Sequence, residues 1–289
     1  MELILQTGVN ALVTSGFFAL TAVGLVLIFG VMNIVNFAHG ELYMVGAYTV
    51  WFLYSISGWP FFGAVLAAFV LVTAIGLVME RFLFRPLRDN PLGGLINSIG
   101  ALFILQVLAV VLGGVGLMKH VPAAFPGTTE FLPGVYVADQ RLVSLLIAVA
   151  LLIAMWLFLT RTRLGWALRA VAQDREAAAL QGISINRISM IAVGMGAGLA
   201  GIAGALVAPI ARVEPYMGHG VIITAFIVTI VGGIGSLSGA VLAAVLYAFF
   251  HTFVSTYYDG TVATMLGLVI MLVVLIVKPT GLMGAKVSE

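Results

Sequence analysis

The chain has 289 residues, 62% of them apolar and 8% charged, with 13 basic against 11 acidic side chains and no cysteine. A soluble domain carries about 25% charged residues, so a water-exposed globule is excluded; the apolar content excludes a disordered chain, and so apolar a chain with so small a basic excess does not make the strongly basic surface a nucleic-acid binder needs to neutralise phosphates. At a mean hydropathy of +1.20 the expected fold is an all-α polytopic membrane protein, with the lipid bilayer as solvent. The missing cysteines remove disulfides, zinc–thiolate sites and thiol catalysis.

The opening Met1-Glu2-Leu3-Ile4-Leu5-Gln6 lacks the basic n-region of a secretory leader, so the first apolar stretch is expected to stay in the mature protein. A spanning helix needs roughly 20 apolar residues. Windows of that size fall at 8–31, 42–57, 60–80, 94–115, 142–160, 188–211, 220–235, 239–256 and 261–277. That makes eight or nine segments within a single transmembrane domain, 1–289. Three of them, 42–57, 220–235 and 239–256, are short for a crossing and so are expected to be tilted, half-length or re-entrant.

Between the first two segments, Asn33-Ile34-Val35-Asn36-Phe37-Ala38-His39-Gly40-Glu41 places two amides, an imidazole and a carboxylate with almost no flanking loop. At membrane depth such groups must face protein or a water-filled path. Asn33, Asn36, His39, Gly40 and Glu41 are therefore candidates for a translocation path or gate. The alternative is a tight turn in which Asn36 caps one helix and Gly40 ends another. His-x-Glu without a third ligand makes no zinc site, so neither a metal nor a catalytic residue is expected.

Ten of the 13 basic residues fall in three places: Arg81, Arg85 and Arg88; Arg161, Arg163, Arg169, Arg175 and Arg187; and Lys278 and Lys286. The positive-inside rule assigns these stretches to the cytoplasm. The C-terminus is then inside, the N-terminus outside after nine crossings, and the proline-containing 116–141 loop external. The 161–187 loop is the longest hydrophilic segment. Leu168, Val171, Ala172 and Ala179 recur in it at helical spacing, which predicts a short amphipathic helix on the cytoplasmic face.

Farther on, the glycines at 194, 196, 198, 201 and 204 give small faces suited to close helix packing. Gly232-Gly233-Ile234-Gly235-Ser236-Leu237-Ser238-Gly239 lacks the Gly-Lys-Ser/Thr ending of a phosphate loop. Gly232, Gly233, Gly235, Ser236 and Gly239 are instead expected to form a hinge beside the path. Residues 8–80 and 220–278 share an order of span, break, short span, turn and span in the same orientation. Paired broken segments of this kind point to a transport site.

Two resemblances add to this reading. Glu176-Ala177-Ala178-Ala179-Leu180-Gln181-Gly182 resembles the coupling motif of ATP-binding-cassette (ABC) importer permeases, without the Ile-x-Leu-Pro ending of many members. Gly24 to Gly30, Asn36-Phe37-Ala38-His39-Gly40-Glu41 through Tyr48, Leu168 to Gln173 and Gly232 to Ala240 resemble the signatures of the branched-chain amino acid ABC permeases of LivH type. The resemblance implies a non-enzymatic permease subunit in a bacterial inner membrane. The partners it implies are a second, LivM-like permease, two ATPases that bind ATP and Mg, and an external or periplasmic solute-binding protein. It also implies that Arg169, Arg175, Glu176, Ala177 and Gly182 couple to the ATPase. A cargo of urea or short amides, and an ATP-independent transporter or channel, are the competing expectations.

Overall fold

The computed structural model describes residues 2–88, 90–114 and 118–284; Lys286 lies outside them. Among the described residues, seven helices are long and apolar enough to cross a membrane. They are α1 (Glu2–Met32), α3 (Phe61–Met79, continued by tighter and wider turns to Leu87), α4 (Pro91–Gly113), α5 (Asp139–Arg161), α8 (Ile185–Val207), α10 (Leu237–Tyr257) and α11 (Gly260–Val277). Two shorter ones, α2 (His39–Val50, extended by wide π turns to Ile56) and α9 (Met217–Gly232), complete the nine apolar segments. The helices α6 (Arg163–Gln173) and α7 (Arg175–Leu180) and the antiparallel hairpin β1 (Thr128–Leu132) and β2 (Val135–Ala138) lie between spans. Of the three segments expected to be short, 42–57 and 220–235 are. The third is not: α10 starts earlier than the hydropathy edge, because Ser236 caps it by accepting from Gly239 N at 3.1 Å, and it runs 21 residues.

Helices α1 and α8 form the centre and the others surround them. The apolar windows of α1 and α8 are 72% and 83% buried, against 11% for α11, so lipid is left to meet the outer helices. Small residues make this centre possible. Gly24 faces Gly196, Gly46 faces Gly201, and Gly204 lies under the Tyr43 carbonyl, so that backbones touch where side chains would hold them apart. The glycine run on α8 is thus a packing face, as its spacing predicts.

The bundle has two chemically distinct ends. At one, Gln6 pairs with the backbone of Tyr136 in both directions (2.9 and 3.1 Å), Arg141 donates to Asn10, and Lys119 pairs with Val213. At the other lie the ends of α1 and α3, the start of α8, and α6 with α7, so the described residues of all three basic clusters gather there. Near that end Glu80, fully buried, receives Arg85 at 2.7 Å and Arg88 at 3.0 Å, and Arg88 also donates to Asn186 at 2.6 Å. This fastens the tail of α3 to the start of α8. Removing both cations would leave a buried carboxylate uncompensated, which costs on the order of 3–5 kcal/mol. The double variant Arg85→Ala/Arg88→Ala is therefore expected to unfold at clearly lower temperature in detergent, whereas Lys278→Ala leaves the midpoint unchanged.

Candidate functional site

The polar break after α1 does not turn at the membrane edge. Met32 ends α1, Asn33 adopts the left-handed conformation (φ 53°), and residues 34–36 run back along the bundle without regular structure into a turn at Phe37 and Ala38, where Ala38 (φ −71°, ψ −4°) leads into α2. His39 then lies against Gly24, its Nε2 donating to the Thr21 carbonyl at 3.0 Å. Thr21 is 11 residues before the end of α1, about 17 Å at 1.5 Å per residue, close to mid-membrane. Hydropathy places the whole break near one face; the structure carries its second half inward. The buried backbone of this stretch is satisfied locally. Phe37 N donates to Ser98 Oγ at 3.1 Å, Ser98 Oγ also approaches the Val35 carbonyl at 3.3 Å, and Ala38 N donates to Asn36 Oδ1 at 3.1 Å. Each such bond removes an unpaired group that would cost several kcal/mol in hydrocarbon.

Two shorter helices therefore begin inside the bundle, and their first turns meet. Gly40 of α2 touches Gly218 of α9, and Gly218 also lies against the Glu41 carboxyl. At 16 residues, about 24 Å, α9 falls short of the roughly 30 Å hydrocarbon layer. Around this junction Gln106 of α4 donates through Nε2 to Glu41 Oε1 at 2.9 Å and pairs with His219 Nε2 at 2.7 Å. Glu41 and His39 are fully buried, while His219 is exposed and stacks on Tyr216. Neither Gln106 nor His219 stands out in the sequence, since each lies alone in or beside an apolar run, 65 and 178 residues from Glu41.

Two cavities run along one side of this junction, both walled by α1, α9 and α11. The first, about 390 Å³, is lined by Thr14, Phe17, Thr21, Tyr43, Arg141 and Thr224 among others and lies toward the end with few arginines. The second, about 350 Å³, is almost wholly apolar; Leu25, Phe29, Val35, Phe37, Phe226 and Met271 are in its wall. The packed trio Leu25, Ile222 and Ala225 lies at the level between them. Within the 33–41 stretch it is thus the apolar Val35 and Phe37 that face a cavity, while Asn36, His39 and Glu41 hold the inner bonds.

The glycine-rich break is of another kind. Gly232 and Gly239 touch, Gly233 (φ 107°) and Gly235 (φ 82°) make the left-handed turns, and the chain end packs over them. Leu282 N donates to the Val231 carbonyl at 2.8 Å and Met283 N to that of Gly232 at 3.0 Å. It forms a compact corner at the arginine-rich end, away from the Glu41 junction. The first half keeps the expected order of span, break, short span, turn and span; the second departs from it, because its short helix, α9, comes before the break and the full-length α10 after it.

The amphipathic loop folds as two helices where the spacing predicts one. Asp174 leaves helical conformation (φ −151°, ψ 112°) and accepts Ala177 N at 2.9 Å, capping α7. The break turns the second helix, so Leu168, Val171 and Ala178 are buried while Ala172 and Ala179 are exposed. Gly182 closes α7 in left-handed conformation (φ 81°), its N bonded to Ala179 O at 2.9 Å. Arg169 stacks over the Trp166 ring at 5.0 Å, Arg175 is half-buried, and Glu176, Ala177 and Gly182 are exposed. Leu180, 87% exposed at the end of α7, is an apolar tip in the open, and Trp166 on α6 is 64% exposed. A Cβ placed on Gly30 of α1 would lie 3.7 Å from Gly235 Cα and 3.8 Å from Ala172 Cβ. The elbow and the glycine corner thus both abut the end of α1.

A helical bundle with two shortened helices joined at mid-depth, stacked cavities and a basic elbow at one end has the architecture of a membrane permease. The family of the branched-chain amino acid transport system, permease component, matches residues 8–277. The high-affinity branched-chain amino acid transport permease BraD of Pseudomonas aeruginosa is 32% identical over 99% of this chain and 97% of its own. LivH of Escherichia coli is 29% identical over the same shares, and a probable LivH of Methanocaldococcus jannaschii 26% over 95% and 91%. The chain belongs to this permease family. Among solved structures, PsaBC from Streptococcus pneumoniae in complex with Fab superposes with a TM-score of 0.54 over 94% of this chain and 91% of its own; at 14% identity this shows a shared fold.

Glu41→Gln keeps an acceptor for Gln106 but removes the carboxylate. Solute uptake is expected to fall at least fivefold while the amount in the membrane stays constant; wild-type uptake would reduce the junction to a structural joint. Glu41→Leu leaves the Gln106 donor unpaired, which costs about 1–3 kcal/mol, and is expected to lower the unfolding midpoint as well.

Proposed function

We propose that this chain is the membrane subunit of a bacterial ABC importer that carries branched-chain amino acids across the inner membrane. The reading rests above all on the elbow of α6 and α7. It presents an exposed apolar tip and free-facing small residues at the basic end, and it touches the end of α1, whose other residues wall both cavities. Excess Arg and Lys puts that end, and with it the C-terminus, in the cytoplasm. The cargo follows that of the relatives, high-affinity branched-chain amino acid transport permeases.

In this reading a solute-binding protein delivers substrate at the hairpin end. Two ATPase subunits, which hold the ATP and Mg, grip the elbows of this chain and of a second permease. Glu176, Ala177 and Gly182 form the contact, with Arg169 and Arg175 as electrostatic support. ATP-driven movement of the elbow passes through Ala172 and Gly30 to α1 and the glycine corner. Gly232, Gly233, Gly235, Ser236 and Gly239 then act at the inner gate, and Asn33, Asn36, His39, Gly40 and Glu41 set the inner path.

The chain, co-expressed with its own ATPases, second permease and binding protein and reconstituted in vesicles, is expected to import leucine, isoleucine and valine with ATP. Gly182→Glu and Leu180→Glu are expected to insert normally yet lose ATPase association and at least nine-tenths of uptake. Leu180 makes the cleaner test, since its side chain is free of the bundle. Normal pull-down and transport by both variants overturn the coupling assignment, and uptake of urea or short amides in place of leucine overturns the cargo.

A further inference from the structure

We propose that the outer cavity is a substrate waypoint in which Arg141 takes the carboxylate of the transported amino acid; the proposal rests on the amino-acid importer reading above. Arg141 stands in the first turn of α5 and lines the cavity. Its hydrogen-bond partner among the described residues is a neutral amide, Asn10 Oδ1, reached from Nη1 at 3.1 Å, and no ion pair involves it. A guanidinium carries five N–H donors and matches a carboxylate with two parallel bonds. Half-buried at the end of a membrane span, it has most of that capacity unspent.

The rest of the wall supplies what an aliphatic amino acid presents. Val13, Phe17, Val207, Ile210 and Val221 give an apolar surface for the side chain. Tyr43 and Thr224 are more than nine-tenths buried, and their hydroxyls have no protein hydrogen-bond partner among the described residues. These two oxygens are not sealed in protein but open onto the cavity, so they offer acceptors to a polar ligand group, with the ammonium as the matching donor. Among the described residues no carboxylate lines the cavity; the ammonium is therefore held by neutral oxygens and ring faces, which suits a site that must release its cargo. At about 390 Å³ the space falls within the range of small-molecule pockets.

The absence of cysteine from the chain permits a direct test. In the purified, assembled importer, with the other subunits also made cysteine-free, Thr264→Cys, on the α11 wall of the cavity, is labelled with a small methanethiosulfonate. Leucine at millimolar concentration is expected to slow labelling at least threefold, leucinol, which lacks the carboxylate, is expected not to, and Arg141→Gln is expected to abolish the protection. Equal protection by leucine and leucinol, or protection that survives Arg141→Gln, overturns the proposal. In vesicles Arg141→Gln is expected to lower leucine uptake tenfold or more, Arg141→Lys to recover part of it, and ATP hydrolysis stimulated by the loaded binding protein to persist. Asn10→Ala, which removes the same inter-helix bond, is expected to transport within twofold of wild type; a loss as deep as that of Arg141→Gln makes Arg141 a strut and overturns the assignment. If the wild-type importer moves no leucine at all, it is the importer reading that fails.

Discussion

Backbone contact between glycines at the centre of the bundle is the condition on which the rest of this structure depends. Gly24 against Gly196 and Gly46 against Gly201 bring three helices closer than any side chain would permit. Only in so tight a centre is there enough protein around residues 34–38 to satisfy a non-helical backbone away from water. Ser98 and Asn36 then complete the task with bonds to Phe37, Val35 and Ala38. The same closeness lets Gly40 meet Gly218, so two helices can start where neither could start alone. Substituting a bulkier residue into one of these faces would therefore disturb the mid-depth junction as well as the local packing.

From that centre the polar groups acquire distinct roles by depth. The carboxylates of Glu41 and Glu80 are both fully buried, yet they do different work. Glu80 is held by two arginines beside the basic end and acts as a fastener, whereas Glu41, at the junction of the short helices, accepts a hydrogen bond from a neutral amide, Gln106, and among the described residues forms no ion pair. A carboxylate matched by charge is a structural element. One matched by an amide at a point where helices begin is more readily perturbed by what passes nearby.

Much of the arrangement was legible in the chain itself, because hydropathy reports span length and basic residues report sidedness. The nine apolar segments, the two shortened ones, the packing glycines on α8 and the gathering of the arginine clusters at one end all follow from residue order. Depth does not. Nothing in Asn33 to Glu41 says that the chain turns back along α1, since that direction is fixed by the Thr21 carbonyl and by Gly24, residues on another helix. Gln106 and His219 carry little signal for a similar reason: a lone polar residue in or beside an apolar run gains meaning only from its neighbours in space. The elbow departs from the helical spacing through one residue's chemistry, because Asp174 is an acceptor for the next helix rather than a member of the first.

The hook at the end of the chain has a mechanical corollary. Leu282 and Met283 bond the carbonyls that end α9, and Lys278, which follows α11, donates through Nζ to Leu282 O at 2.9 Å. Helices α9 and α11, which face each other across both cavities, are thus stitched together at the basic end and free of that stitch at the other. Two rods joined at one end open as a fan, with the widest travel farthest from the seam. The space beside Thr224 and Thr264 would then change its volume more than the space beside Ile230 and Met271, whichever motion drives it.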